Sequence, residues 1–402
     1  MKKIGILFGQ ERTFPQAFVD RVNQKNVAGI MAEPVTIDKV IQGDASEYAV
    51  IIDRISQDVP FYRAFLKNAA LSGTAVINNP FWWSADEKFF NNALMTKVGV
   101  PVPKTVLLPS KEHPTDTSAD SFSNLAFPLD WDGIFKYIGF PAYMKPFSGG
   151  GWKSVYRLED ANDFFEKFEE TEQLVMMLQE EIKFDAYFRC YCIGGKHVRI
   201  MHYEPRNPHH LRYQAHFDVS DEMMQKMHDI VLKVNHSLGY DFNTVELAIR
   251  DGIPYAIDFC NPAPDADINS VGPENFEWVV ETAATYAIER AQANVDGQQN
   301  LTWGDFIRQA VNIRTVTNDK VSTQDTLLSQ IGTGTEDQKD DLKKINGIGP
   351  KLEGMLNSMG IYTFNQLSLL GEEEYALIDS MLTGFRGRGK RDDWAGQAKR
   401  MI

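Results

Sequence analysis

The chain has 402 residues, a formal net charge of −14, 43% hydrophobic and 24% charged residues, a length suited to two or three domains and a composition that excludes disordered and fibrous proteins. Its acidic balance argues against nucleic-acid binding by the whole chain, and no run reaches the ~20 apolar residues of a membrane span. Three cysteines, Cys190, Cys192 and Cys260, are too few for a disulfide framework, so a soluble cytoplasmic protein is expected.

The first residues start like a leader. Their apolar run is short and passes straight into Gln10, Glu11 and Arg12, which predicts a first strand over 3–9 instead. Further short apolar runs at 27–30, 48–53 and 75–78, separated by longer amphipathic segments, predict buried parallel strands of an open α/β sheet. Ser84-Ala85-Asp86-Glu87 reads as the capping box of a helix with an apolar stripe of Phe89, Phe90, Ala93, Leu94 and Val98, stopped by Gly99 and Pro101. Residues 109–132, rich in Ser, Thr, Asp and Pro, read as an insertion loop. A strand follows at 142–145, and helices are expected near 160–177, 220–238 and 277–293. Strands at 244–249 and 255–259 flank a turn at Asp251-Gly252. The Thr-rich stretch 315–338 reads as a linker. Residues 339–402 read as a small helical module with 10 basic and 9 acidic residues, net +1, which leaves −15 on residues 1–338.

Two patterns carry chemistry. In the first, a strand ends in Lys145 and runs through Ser148 into Gly149-Gly150-Gly151. Glycines bring backbone N–H groups close to an anion and the lysine adds a point charge, so the loop 148–154 suits phosphate. A flexible surface loop is the competing reading. In the second, Glu246 and Asp258 sit within apolar strands, a costly arrangement unless they are paired or bind a cation. A two-residue turn would face them apart, whereas a three- or five-residue connection would set them opposite each other on one face. With the amide oxygen of Asn261, they would suit a hard cation such as Mg²⁺. A solvated edge hairpin is the alternative. Cys190 and Cys192 alternate along one strand and read as core.

Taken together, residues 1 to about 295 resemble the ATP-grasp ligases, particularly glutathione synthetase and the ribosomal-protein glutamate ligases. The resemblance runs in order through Ile51-Ile52-Asp53-Arg54, the segment from Gly73 to Asn79, Lys88, Gly99-Val100-Pro101, Lys145 with the glycine loop, Leu178-Gln179-Glu180-Glu181-Ile182, Asp185 with Arg189, and the acidic strand pair. It implies a Rossmann-like α/β pre-ATP-grasp domain (1–83) and an ATP-grasp domain of two α+β subdomains (84–314), followed by the linker and an all-α tail (339–402). It implies ATP and Mg²⁺ as cofactors, with Glu246, Asp258 and Asn261 as metal ligands. Lys88, Lys145, Ser148, Gly149, Gly150 and Gly151 would hold phosphates, Glu180, Glu181 and Ile182 the adenine, and Asp185 the ribose. Asn261 departs from the family's usual acid-x-Asn spacing by one residue, so it reaches the metal through a bulge or by leaving the strand. Arg212, then Arg206, is implied as the catalytic contact to transferring phosphate, and Arg54 is a candidate for a substrate carboxylate.

The implied reaction is ADP-forming ligation of a small-molecule or peptide carboxylate to an amine, by a chain that dimerises. The alternative is a non-catalytic ATP-binding body that serves its tail. In that tail, residues 341–352 resemble a helix-hairpin-helix element, whose hairpin at Gly347 and Gly349 and following helix would meet a nucleic-acid backbone or a protein. The basic run from Phe385 to Arg391 would add phosphate contacts.

Overall fold

The computed structural model describes residues 1–81, 87–149, 153–214, 216–295, 327–328, 330–382, 385 and 387–402. Two compact units divide the chain, Met1–Asn312 and Ile313–Ile402.

The larger unit begins with β1 (Lys2–Leu7), β2 (Ile30–Pro34), β3 (Tyr48–Asp53) and β4 (Ala75–Ile77), ordered β2-β1-β3-β4 with every pair parallel. Ile4, Ile6, Val50 and Ile52 pack with Phe14 and Phe18 of α1 (Thr13–Gln24) and with Ala283 and Ala287 of the late helix α7 (Pro273–Ala293). Leu7, Ile51 and Val76 pack on the other face with Leu66 and Ala69 of α2 (Pro60–Leu71). Both faces are covered, so the strands read as continuous apolar runs. The second strand begins at Ile30 rather than ending there, because α1 runs to Gln24 and Gly29, at φ +76°, turns the chain just before the strand.

The helix α3 (Lys88–Val98) ends on Gly99 in the left-handed conformation, as the glycine predicts; the expected capping box at 84–86 lies outside the described residues. Next come β5 (Thr105–Leu108), α4 (Trp131–Ile138), β6 (Ala142–Pro146), β7 (Tyr156–Leu158), α5 (Ala161–Glu169) and β8 (Met176–Glu180). The strands form an antiparallel sheet, β5-β8-β6-β7, whose Ala142, Met144, Leu158 and Leu178 pack against Phe164 and Phe168. The helix expected over 160–177 therefore stops early. Met176 and Met177 are held between β5 and β6, and tertiary pairing overrides their helical preference.

A third antiparallel sheet, β10-β9-β11-β12, is built from β9 (Ala186–Ile193), β10 (His197–His202), β11 (Phe242–Arg250) and β12 (Ile253–Asp258). Phe188, Cys190, Cys192, Val245 and Leu247 pack against α3 and α6 (Asp221–Leu238), and all three cysteines are buried free thiols. Strand alternation sends Tyr187, Arg189 and Glu246 to the opposite face.

Arg54 is not open to a substrate. It ends β3 with its side chain 2% exposed, makes two hydrogen bonds to Glu11 at 2.9 and 2.6 Å, and donates to the Pro264 carbonyl at 2.6 Å. Removing one partner of a buried pair strands the other, so Arg54→Ala is expected to cost about 3–5 kcal/mol in urea unfolding. A joint Arg54→Met, Glu11→Leu change should recover most of that loss.

The smaller unit packs Leu342, Ile345, Ile348, Leu352, Leu356, Leu367 and Trp394 into its own core, around helices Pro350–Ser358, Phe364–Ser368, Glu372–Met381 and Trp394–Lys399. Leu327 and Ile331 are buried in the same core, so this part of the expected linker belongs to the module; 315–326 lie outside the described residues. The hairpin is tied to the last helix. Asn346 N–H donates to Gln397 Oε1 at 2.8 Å, and Gln397 Nε2 donates back to the Asn346 carbonyl at 3.1 Å. Gly347 sits at φ +98°, where a Cβ would run into the Asp392 carboxylate. The hairpin expected to meet phosphate is therefore engaged within the module and faced by an acid.

Candidate active site

A cavity of about 1580 Å³ is lined by residues of the second and third sheets, the loops after β6 and β8, and Gln57 and Asp58. At its centre Glu246 of β11 stands opposite Asp258 of β12. The turn between these strands is the short one, with Asp251 at φ 52° and Gly252 at φ 72°, which by itself would face the carboxylates apart. A bulge corrects this: Leu247 pairs with Ala256 and Glu246 with Asp258, leaving Ile257 as the extra residue. Pro254, which cannot donate to a ladder, is accommodated because β12 is an edge strand.

Two lysines face this pair. Lys88 opens α3; its N–H donates to the Phe147 carbonyl at 2.9 Å, and its Nζ lies 3.4 Å from Asp258 Oδ1. The attraction of Asp258 raises the Lys88 pKa. Lys145, near the end of β6, is pushed down to about 8, first by burial and then by the charge of Lys88. Burial drives Asp258 upward, but Lys88, Lys145 and Arg189 outweigh it and hold Asp258 below the ordinary carboxylate value. Glu246 goes the other way. Burial raises it, with Asp258 adding to the rise and Arg189 and the Tyr187 hydroxyl, which donates to Oε2 at 2.6 Å, opposing it. The two acids are thus unequal, with Asp258 the one most firmly ionised.

Asn261 lines the cavity beyond the end of β12. Its Nδ2 donates to the Thr244 carbonyl at 3.2 Å, which leaves Oδ1 without a partner among the described residues. Two carboxylates and an amide oxygen form a hard oxygen set that fits Mg²⁺ completed by phosphate and water. Among the described residues no group of three or more His, Cys, Asp or Glu gathers as an alternative metal site.

Ser148 and Gly149 line the cavity beside Lys153 and Ser154; Gly150 and Gly151 lie outside the described residues. Glu180, Glu181 and Ile182 form one wall. Both carboxylates there are engaged: Glu180 accepts from the Lys104 N–H at 3.0 Å, and Glu181 pairs with Arg157 at 2.7 and 3.0 Å. The Ile182 N–H has no hydrogen-bond partner among the described residues.

Asp185 is exposed and outside the lining, its N–H bonded to the Ile249 carbonyl at 2.8 Å. Arg212 is also outside it, bracing its own loop through the Asn207 carbonyl at 3.1 Å and the Tyr203 hydroxyl at 3.3 Å. The expected order of the two arginines is thus reversed. Arg206 reaches the cavity, paired with Glu204 at 2.7 and 2.6 Å and 4.4 Å from the Phe184 ring centre. His210 is exposed. Tyr187 is a site residue that sequence reasoning missed. The signal was the alternation along β9, where Tyr187, Arg189 and Tyr191 interleave with the apolar Phe188, Cys190 and Cys192.

Residues 342–402 match the model of the RS2/RL21/YNQ2 HHH domain family. The chain is 54% identical over 59 residues to the large ribosomal subunit protein bL21 of Jannaschia sp. (strain CCS1), and 41% identical over 63 residues to the small ribosomal subunit protein uS2 of Methylobacterium nodulans. These matches cover 15% and 16% of this chain and only 22% and 18% of those proteins. The body is similar in fold to D-alanine–D-alanine ligase from Bacillus anthracis (TM-score 0.51, 15% identity, 73% of this chain and 98% of that one). It is also similar to a RimK domain ATP-grasp protein from Sphaerobacter thermophilus (TM-score 0.52, 15% identity, 71% and 99%). The body has the ATP-grasp fold, and an all-α helix-hairpin-helix domain follows it. Among the described residues no helix is long and apolar enough to cross a membrane.

Proposed function

We propose that the chain is a magnesium- and ATP-dependent carboxylate–amine ligase that forms an amide or peptide bond and releases ADP and phosphate. The observation that carries this reading is the cross-strand placement of Glu246 and Asp258 in one cavity with Lys88 and Lys145. D-alanine–D-alanine ligase from Bacillus anthracis, which has this fold, was solved in complex with ATP, and the oxygen donor set suits magnesium beside a nucleotide's phosphates. In the proposed reaction a substrate carboxylate oxygen attacks the γ-phosphorus of ATP and ADP leaves. An amine then attacks the acyl carbon, phosphate leaves and the nitrogen loses a proton.

Glu246, Asp258 and Asn261 would hold magnesium, which when bound supplies positive charge to the phosphate oxygens. Lys88 and Lys145 contribute fixed positive charge where negative charge develops, in a setting that needs no reorganisation. Ser148, Gly149 and Lys153 cover the phosphate end and exclude the water that would hydrolyse an acylphosphate. Arg206, at the cavity edge, is available to the substrate. The tail is read as a protein-docking element, because its hairpin is closed by Gln397 and faced by Asp392.

Hydroxylamine trapping tests the reading. The full chain is incubated with Mg·ATP, hydroxylamine and pools of carboxylic acids, and hydroxamate and ADP are measured. Equal amounts of both, dependent on one acid, are expected. ADP without hydroxamate would point to phosphoryl transfer alone, and no nucleotide turnover with any pool would sink the ligase reading.

A further inference from the structure

Asn261 lies one residue beyond the spacing that would place it on the face of Asp258. In an unbroken strand Cys260, not Asn261, would share that face. The chain instead ends β12 at Asp258, while β11 extends beyond the Glu246–Asp258 pair through Val245 to Phe242. Two side-chain amides bridge the gap that the missing ladder leaves. Asn243 Nδ2 donates to the Phe259 carbonyl at 2.8 Å, and Asn243 Oδ1 accepts from the Asn261 N–H at 2.8 Å. Asn261 Nδ2 in turn donates to the Thr244 carbonyl at 3.2 Å. Between them Cys260 packs with core residues, its thiol accepting from Asn91 Nδ2 at 3.0 Å. Asn243 is itself 0% exposed, and the next residues on its face of β11, Val245 and Leu247, are apolar. An amide buried there is costly unless it is hydrogen-bonded, and both of these bonds go to the residues flanking Cys260. Further on, Asn78 Nδ2 donates to the Pro262 carbonyl at 3.0 Å, so the backbone is held on both sides of Asn261. Held in this way, Asn261 lines the cavity together with Glu246 and Asp258.

We propose that Asn243 is a positioning residue of the cation site: its side-chain amide grips the chain on either side of Cys260 and so presents Asn261 Oδ1 to the ion. The inference rests on the ligase reading, from which the magnesium comes. Asn243 lies outside the cavity lining and acts through Asn261. The two carboxylates are placed independently of it, by the ladder between β11 and β12. Loss of Asn243 therefore weakens the hold on the cation and spares the hold on the base. Groups that orient a metal ligand typically contribute about 10–100-fold to metal affinity.

Calorimetry on the full chain tests this, with a non-hydrolysable ATP analogue titrated across a series of magnesium concentrations and in EDTA. In the wild type, magnesium is expected to tighten binding of the analogue. Asn243→Ala should raise the magnesium concentration for half of that effect about tenfold or more, and leave affinity in EDTA within about twofold. Asn261→Ala should do the same. The double variant should match Asn261→Ala within about twofold, because both changes act through one donor. Additive losses, an unchanged magnesium midpoint in Asn243→Ala, or a wild type indifferent to magnesium would overturn the assignment. So would a loss that appears equally in EDTA. If thermal melting shows that Asn243→Ala does not fold, Asn243→Thr, which keeps a polar group in a smaller volume, decides by the same comparison. A wild type that binds no analogue at all sinks the ligase reading instead. Manganese titrated into the nucleotide-free variants, followed by the EPR signal of the free ion, then decides the positioning role by the same ordering, and no manganese binding overturns it.

Discussion

Asp258→Asn is expected to lower ATP turnover by about 10²–10³-fold while leaving the fold intact. Asparagine preserves volume and an oxygen but removes the charge that Lys88, at 3.4 Å, Lys145 and Arg189 jointly hold ionised. Without it the cation loses the firmer of its two carboxylates, and the three basic groups face one another with only Glu246 between them. Glu246→Gln should also impair turnover. The direction of the two pKa shifts makes Asp258 the more sensitive position, because Glu246 is the carboxylate that burial already pushes toward its neutral form. Turnover measured across a magnesium titration, beside a thermal melt, checks this. A variant that keeps wild-type turnover and magnesium dependence would remove the acid pair from the mechanism.

Much of this site was legible because charge in an apolar strand is expensive. Glu246 and Asp258 stood out among Val245, Leu247, Ala256 and Ile257 on that ground alone. Their mutual facing was harder to read. A short turn and a long one imply opposite faces, and the chain uses the short turn plus a bulge, which leaves no simple sequence mark. Lys145 was legible from its place before glycines, since a lysine there suits phosphate. Arg54 was misread because its partners, Glu11 and the Pro264 carbonyl, lie 43 and 210 residues away in sequence. Asp185 failed for a local reason: it precedes the first residue of β9, and its backbone caps the ladder instead of aiming its side chain inward. Intrinsic preference predicts Met176 and Met177 in a helix, and strand pairing on both sides overrides it. Composition reads the stretch holding Leu327 and Ile331 as linker, and it does not show that two apolar side chains among polar ones suffice to anchor a segment.

Affinity for Mg·ATP is expected to fall as pH rises above about 8, through Lys145. In the ligand-free protein this lysine is pushed down to about 8 by burial and by Lys88, so it loses its proton above that pH. Phosphate favours the charged form, so binding at alkaline pH must return the proton, and affinity should drop about fivefold between pH 8 and pH 9. Calorimetry in two buffers of different ionisation enthalpy should show the uptake of close to one proton at about pH 9 and little at about pH 7. The ligand-free fold should respond in the opposite sense. A lysine whose pKa is lower folded than unfolded binds fewer protons in the native state between about 8 and 10.5, so its contribution to stability rises with pH across that window. Cys260, which burial pushes up to about 12, works against this trend above its ordinary value, so the contribution of Lys145 is read as the difference between wild type and Lys145→Met. That variant should bind nucleotide weakly with no proton uptake. An unchanged affinity from pH 7 to pH 9, or the same step in Lys145→Met, would detach the titration from this lysine and from the phosphate end of the cavity.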